Sequence, residues 1–215
     1  MSDASQQHVS IFDGHNDTVL SLRGTGRSFF NHTDQGHIDL PRARAGGLAG
    51  GIFAVFVPAP RQAVSSADPG AAADLAAAQA VQSAAPEEKP GQAQQDAASQ
   101  GETSVIPPPP GLTHEYALTF AMTEFARLFQ IEAQSGGEVT IVRSARELRE
   151  CIANGTFAMQ LHFEGAEAID TDLNALAVFH AAGLRSLGIV WSRSNAFGHG
   201  VPFGVGSPDT GPGLT

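Results

Sequence analysis

Cysteine is nearly missing from this sequence: Cys151 is the single one in 215 residues. One thiol excludes an internal disulfide framework and fits a reducing compartment. Positive charge is also scarce. Twelve Lys and Arg stand against 22 Asp and Glu, for a formal net charge of −10. A nucleic-acid backbone demands clustered Lys and Arg, so no nucleic-acid partner is expected. The longest apolar stretch, Gly46 to Ala59, has 14 residues and is rich in glycine. A membrane-spanning helix needs roughly 20 apolar residues, so no such segment is expected. The opening MSDASQQHVS has no basic segment followed by an apolar one. It therefore does not read as a secretory signal, and a cytoplasmic location is expected. There is no GxxxxGK[ST], GxGxxG or GxSxG, hence no indicated phosphate cradle and no serine-nucleophile elbow.

What is present suits one folded domain. The chain is 42% hydrophobic, enough for a core. Val9 to Phe12 reads as a buried strand ending in the polar run DGHND. Thr18 to Leu22 begins a turn or helix, and residues 23–37 read as a loop. Asp39 to Ala45 has Pro41 where a helical first turn tolerates it, and Gly46-Gly47 stops it. Gly51 to Pro58 is continuously apolar, as in a strand covered on both faces. Residues 61–111 are dominated by Ala, Gln, Ser, Pro and Asp and read as a low-complexity excursion from the domain, which otherwise occupies 1–215.

Regular patterning resumes at Leu112. Leu118, Met122, Phe125, Leu128 and Phe129 recur at helical spacing up to about Ala133. Val139 to Val142 predicts a strand. Ser144, with Glu147 three residues on, predicts a capping box opening a helix to about Ile152. Thr156 to Phe163 predicts a third buried strand ending in Glu164-Gly165, Asp172 to Ala182 a helix, and Leu184 to Trp191 a further strand. Strands alternating with helices predict an α/β fold with a parallel sheet. About five strands are counted where a closed barrel needs eight, so the chain reads as the first part of a larger domain.

In parallel α/β folds the chemistry sits beyond the C-terminal ends of the strands. His15 and Asp17, then Glu164, then Asn195 follow strand ends. An imidazole and a carboxylate two residues apart can grip one divalent cation. The plainer alternative is a loop histidine followed by an aspartate acting as a helix N-cap. Glu164 could bridge two metals or be a partly exposed carboxylate. His162 is read as a satisfied core histidine, His199 as a solvated loop residue, and Cys151 as packed rather than reactive.

These residues sit in segments that resemble the membrane (renal) dipeptidase family, whose members are zinc peptidases with an amidohydrolase-like barrel. IFDGHNDTVLSL resembles its opening strand, and GHIDLPRARAGGLAGGIFAVFVP the segment before and through its second. MQLHFEGAEAI and GLRSLGIVWSRSNAFGHG are similar to its later strands, and SPDTGPGLT to a loop that precedes a helix. The resemblance covers roughly 9–59 and 112–215.

It implies a fold class: the N-terminal part of a (β/α)8 TIM-type barrel, stopping short of closure. It implies a zinc-dependent dipeptidase that hydrolyses the amide bond of dipeptides by a metal-bound hydroxide. By position, His15 and Asp17 would ligate the first zinc, and Glu164, the implied catalytic carboxylate, would bridge both. Asn195 and Ser192 would be substrate-binding. Ser192 stands where the family carries a substrate-contacting histidine, and Arg193 or His199 are the neighbours able to substitute for it. The family's second zinc takes two further histidines that would fall after Thr215. The chain alone is therefore expected to hold one zinc at most and to turn over little or no dipeptide. A degenerate half-barrel, and a metal-dependent hydrolase of another small amide, stay open as alternatives. An exposed sheet edge at the break favours association, including a homo-oligomer.

Overall fold

The computed structural model describes residues 9–60, 110–200 and 211–215. Apart from its last two residues, the expected excursion at 61–111 lies outside the described residues. Among these residues, five strands and five helices follow in chain order. They are β1 (Ile11–Asn16), α1 (Thr18–Leu22), α2 (Leu40–Ala45), β2 (Leu48–Phe56), α3 (His114–Gln134), β3 (Val139–Ile141), α4 (Ala145–Asn154), β4 (Phe157–Glu164), α5 (Asn174–Ala182) and β5 (Leu184–Gly188). No helix among the described residues is long and apolar enough to cross a membrane.

Among the described residues the strands pair in parallel, as the alternation of strands and helices predicts. The sheet runs β1-β2-β4, and the far edge of β4 is shared. β3 takes its first residues, Phe157 to Met159, and β5 takes its last, Leu161 to Glu164. β2 begins three residues before the expected Gly51 because backbone pairing reaches back to Leu48 with β1 and to Gly50 with β4. A Cβ at Gly50 would collide with Ala158, so the close approach of the two strands requires glycine there.

Strand β4, expected to be buried, is buried on one face only. Phe157, Met159, Leu161 and Phe163 are buried, whereas Gln160, His162 and Glu164 are only partly so. Alternation puts the polar three on one face, which thus forms a column rising to the C-terminal end of the strand. On the covered face, the Phe29, Phe53 and Phe157 rings meet edge to face at 5.7–6.0 Å. Phe125, Phe163 and Phe179 form a second cluster at 4.8–5.1 Å. Such pairs add to the area they bury.

Helix α3 packs through a face rotated from the predicted one. Ala117, Phe120, Ala121, Phe125, Leu128 and Ile131 are buried, while Met122 is exposed. The rotation accommodates Glu124, which is buried and accepts from Arg127 at 3.0 Å with Arg23 at 3.8 Å. Ser144 caps α4 as predicted, accepting from the Glu147 N–H at 3.2 Å. Glu147 reaches back to the N–H of Arg143, one residue before the cap. Helix α5 starts at Asn174 rather than Asp172, because Asp170 accepts from the Asn174 and Ala175 N–H groups. Strand β5 ends at Gly188 rather than Trp191. Cys151 is buried, which pushes its thiol pKa up.

Candidate metal centre

The C-terminal ends of β1 and β4 bring His15, Asp17 and Glu164 together. A ligating atom from each lies within 4.8 Å of the other two. His15 is placed by an irregularity in its own strand. Asp13 pairs with Gly51 and Asn16 with Phe53, so β1 carries one extra residue between them. Such a bulge breaks the alternation and re-aims the side chain. Asn16 then pins the strand end. Its amide nitrogen donates to Asp13 at 2.8 Å and to the Ile52 carbonyl at 3.1 Å, and its oxygen accepts from the Thr18 N–H.

Asp17 precedes α1 but makes no side-chain cap hydrogen bond. The N-cap alternative for this residue therefore fails, and its carboxylate turns toward His15. His15 Nε2 lies 3.6 Å from Asp17 Oδ1 and 3.5 Å from Glu164 Oε2. These separations are long for strong hydrogen bonds. They suit ligands that each reach one shared ion over ~2 Å. Glu164 occupies the last rung of β4, opposite Phe56 on one side and Gly188 on the other.

The electrostatics point the same way. Burial raises the pKa of Glu164, the Asp17 charge raises it further, and His15 partly offsets both. Two carboxylates facing each other at a desolvated strand end repel, and a divalent cation between them relieves that repulsion. One imidazole nitrogen and two carboxylate oxygens are donors that suit zinc and its neighbours. The residues present therefore fit a metal ion.

His162 stands beside this group rather than in the core. Its ring meets that of His15 edge to face at 5.5 Å, and its Nδ1 lies 2.7 Å from Ser186 Oγ. Burial, and then the His15 charge, lowers its pKa. Gln160 also donates to Ser186, at 3.3 Å.

The other sequence candidates lie after β5. Ser192 and Arg193 are buried, and His199 is half-buried. The Asn195 amide is held by backbone, donating to Ile189 and accepting from Phe197. With His114, Glu167 and Asp170, Asn195 lines a cavity of about 320 Å³. Glu167 escaped the sequence reading. Its side chain is 4% exposed and lies 3.5 Å from Arg193.

The sequence profile of membrane dipeptidases, peptidase family M19, matches residues 2–214. The chain belongs to this family. An uncharacterized protein of Acinetobacter calcoaceticus is 31% identical over 97% of the chain and 58% of its own length. Two solved structures are also similar. One, described as the dipeptidase AC and a metallo peptidase of family M19, has 39% identity and a TM-score of 0.73, covering 97% of this chain and 52% of that one. The other is a metallo peptidase from Rhodobacter sphaeroides liganded with a phosphinate mimic of the dipeptide L-Ala-D-Ala. It has 40% identity and a TM-score of 0.74, covering 96% of this chain and 53% of that one. This M19 chain thus spans about half the length of the relatives it matches.

Proposed function

We propose that His15, Asp17 and Glu164 hold zinc in a centre that hydrolyses the amide bond of dipeptides. The observation carrying this reading is the convergence of three ligating atoms at the C-terminal ends of two parallel strands, in a chain of a dipeptidase family. When bound, zinc would polarise the scissile carbonyl and make a water more acidic. The chain's own residues orient and hold charge. The bulge in β1 aims the His15 imidazole, Asn16 fixes the turn that presents Asp17, and β4 presents Glu164 on its last rung. Glu164 is the carboxylate sited to orient a water at the metal, since it stands on the last rung of β4 with Oε2 3.5 Å from His15 Nε2. The polar column of Gln160, His162 and Ser186 stiffens the floor beneath it.

The test uses a form of the protein that carries the two further histidines implied by the family resemblance. L-Ala-D-Ala is the first substrate, because a mimic of it occupies the Rhodobacter relative. Turnover is expected to vanish with a chelator, to return with Zn²⁺, and to fall at least 100-fold in His15→Ala. Chelator-insensitive turnover, or none with any dipeptide of a panel, overturns the reading. The 215-residue chain by itself is expected to bind one zinc at most and to show little or no activity.

A further inference from the structure

Glu167 and Arg193 form a buried ion pair that supplies none of the three ligating atoms. The two side chains are 4% and 3% exposed, at 3.5 Å. Their hydrogen bonding is incomplete. Among the described residues, Glu167 Oε2, Arg193 Nε and the adjacent Ser192 Oγ are buried without a hydrogen-bond partner. A buried pair of this kind is a poor way to gain stability, because desolvation offsets most of the attraction. Its geometry, however, is specific. The Arg193 guanidinium donates to the Val57 carbonyl at 3.1 Å, just beyond β2, and sits 5.9 Å from the Phe56 ring centroid. Phe56 is the residue paired with Glu164 across the β2–β4 ladder.

The second link runs through the chain itself. Gly165, next to Glu164, has a φ of +101°, and a Cβ there would collide with Glu167 Oε2. The Glu167 carboxylate thus fills the space over the turn that ends β4. In that turn the Gly165 and Ala166 N–H groups donate to the Gly188 and Ile189 carbonyls at 2.9 and 3.0 Å. Arg193 and Glu167 therefore join the ends of β2, β4 and β5 around the one residue that β4 gives to the metal group.

We propose that Glu167 and Arg193 are positioning residues of the metal centre: as a pair they fix the turn after β4 and so the direction of the Glu164 carboxylate. This inference rests on the metal-centre reading. Groups that orient ligands from behind typically change metal affinity about 10- to 100-fold when lost.

Titration of the 215-residue chain with Co²⁺, followed by its visible absorption, tests it. Glu167→Gln keeps the shape and removes the charge. Arg193→Lys keeps the charge and removes the planar fork. Leu128→Ala, in the core on α3, is the comparison for a loss of stability alone. Each variant is first confirmed as folded by far-UV circular dichroism. Both pair variants are expected to weaken Co²⁺ binding about 10- to 100-fold and to change the absorption of the saturated protein, whereas Leu128→Ala changes neither. Wild-type affinity and spectrum in both pair variants, or shifts matched by Leu128→Ala, overturn the positioning role and leave the metal centre standing. No Co²⁺ binding by the wild type, or binding that His15→Ala leaves intact, overturns the centre and this inference with it.

Discussion

Arg44 and Arg193 tie neighbouring strands together at opposite ends of one sheet. Where the strands begin, Arg44 donates to the Gly155 carbonyl and pairs with Glu138 at 3.1 Å, joining the segments ahead of β2, β3 and β4. Where they end, Arg193 joins the segments after β2, β4 and β5 through Val57 and Glu167. The two clasps are built alike and differ in solvent. Arg44 and Glu138 are 42% and 60% exposed, Arg193 and Glu167 3% and 4%. Ser135, near the Arg44 clasp, has its hydroxyl fully engaged with backbone. At the Arg193 clasp, Glu167 Oε2, Ser192 Oγ and Arg193 Nε have no hydrogen-bond partner among the described residues. The starting end is closed at low electrostatic cost. The finishing end carries desolvated charge beside its metal-binding group, as functional sites commonly do.

The largest effect that would sharpen this contrast comes from Arg193→Met. It leaves the Glu167 carboxylate buried without a counter-charge, which costs about 3–5 kcal/mol. Burial already raises the pKa of Glu167 despite Arg193, so the variant is expected to take up a proton there. Urea melts at pH 7 measure the loss. A change below about 1 kcal/mol, the size of an exposed pair, would place the two clasps in one class.

A third pair lies between the extremes. Asp39 is fully buried, and Arg42, 29% exposed, donates to it at 2.7 Å. Asp39 also caps α2 through the Arg42 N–H. Burial pushes its pKa up, but the Arg42 N–H, the Arg42 side chain and the His32 charge outweigh that and hold it below the ordinary 3.8. The folded state therefore gains stability from the ionised form above pH 3.8, and loses it as pH falls through the lower folded value. Asn caps a helix about as well as Asp, so Asp39→Asn removes chiefly the charge. It is expected to cost about 1.5–3 kcal/mol at pH 7. In melts repeated at falling pH, the gap to wild type should close below pH 3.8. A gap that persists at pH 2 would assign the effect to packing.

Much of this was legible in the chain because periodicity and strand-end chemistry are local. Alternation gave the parallel α/β reading, and polar residues past apolar runs marked His15, Asp17 and Glu164. The Ser144 cap was visible from its spacing to Glu147. The polar column of β4 hid inside TFAMQLHF, whose apolar residues dominate the pattern. The buried face of α3 was misjudged because a buried Glu124 cannot be told from an exposed one without its arginines. Nothing local in GAEAI marks Glu167, since its partner lies 26 residues away on another loop. Arg193 reads as a neighbour able to stand in for a substrate-contacting histidine, yet its guanidinium is enclosed. Such pairs are decided by packing between distant segments, which no local spacing encodes.

The smallest effect belongs to Arg44→Met. Its carboxylate partner is mostly in water, where ion pairing yields about 0–1 kcal/mol and salt screens it. The hydrogen bond to Gly155 can be replaced by solvent, because that contact is exposed. The variant should therefore melt within about 1 kcal/mol of wild type, with less difference still at 0.5 M salt, and should bind Co²⁺ as the wild type does. Unchanged Co²⁺ binding is the informative result, since Arg44 joins as many strands as Arg193 does. If cross-strand clasping alone shaped the metal group, both arginines would matter to it. If burial and adjacency to Glu164 are what count, Arg44 can be removed without consequence for the metal while Arg193 cannot.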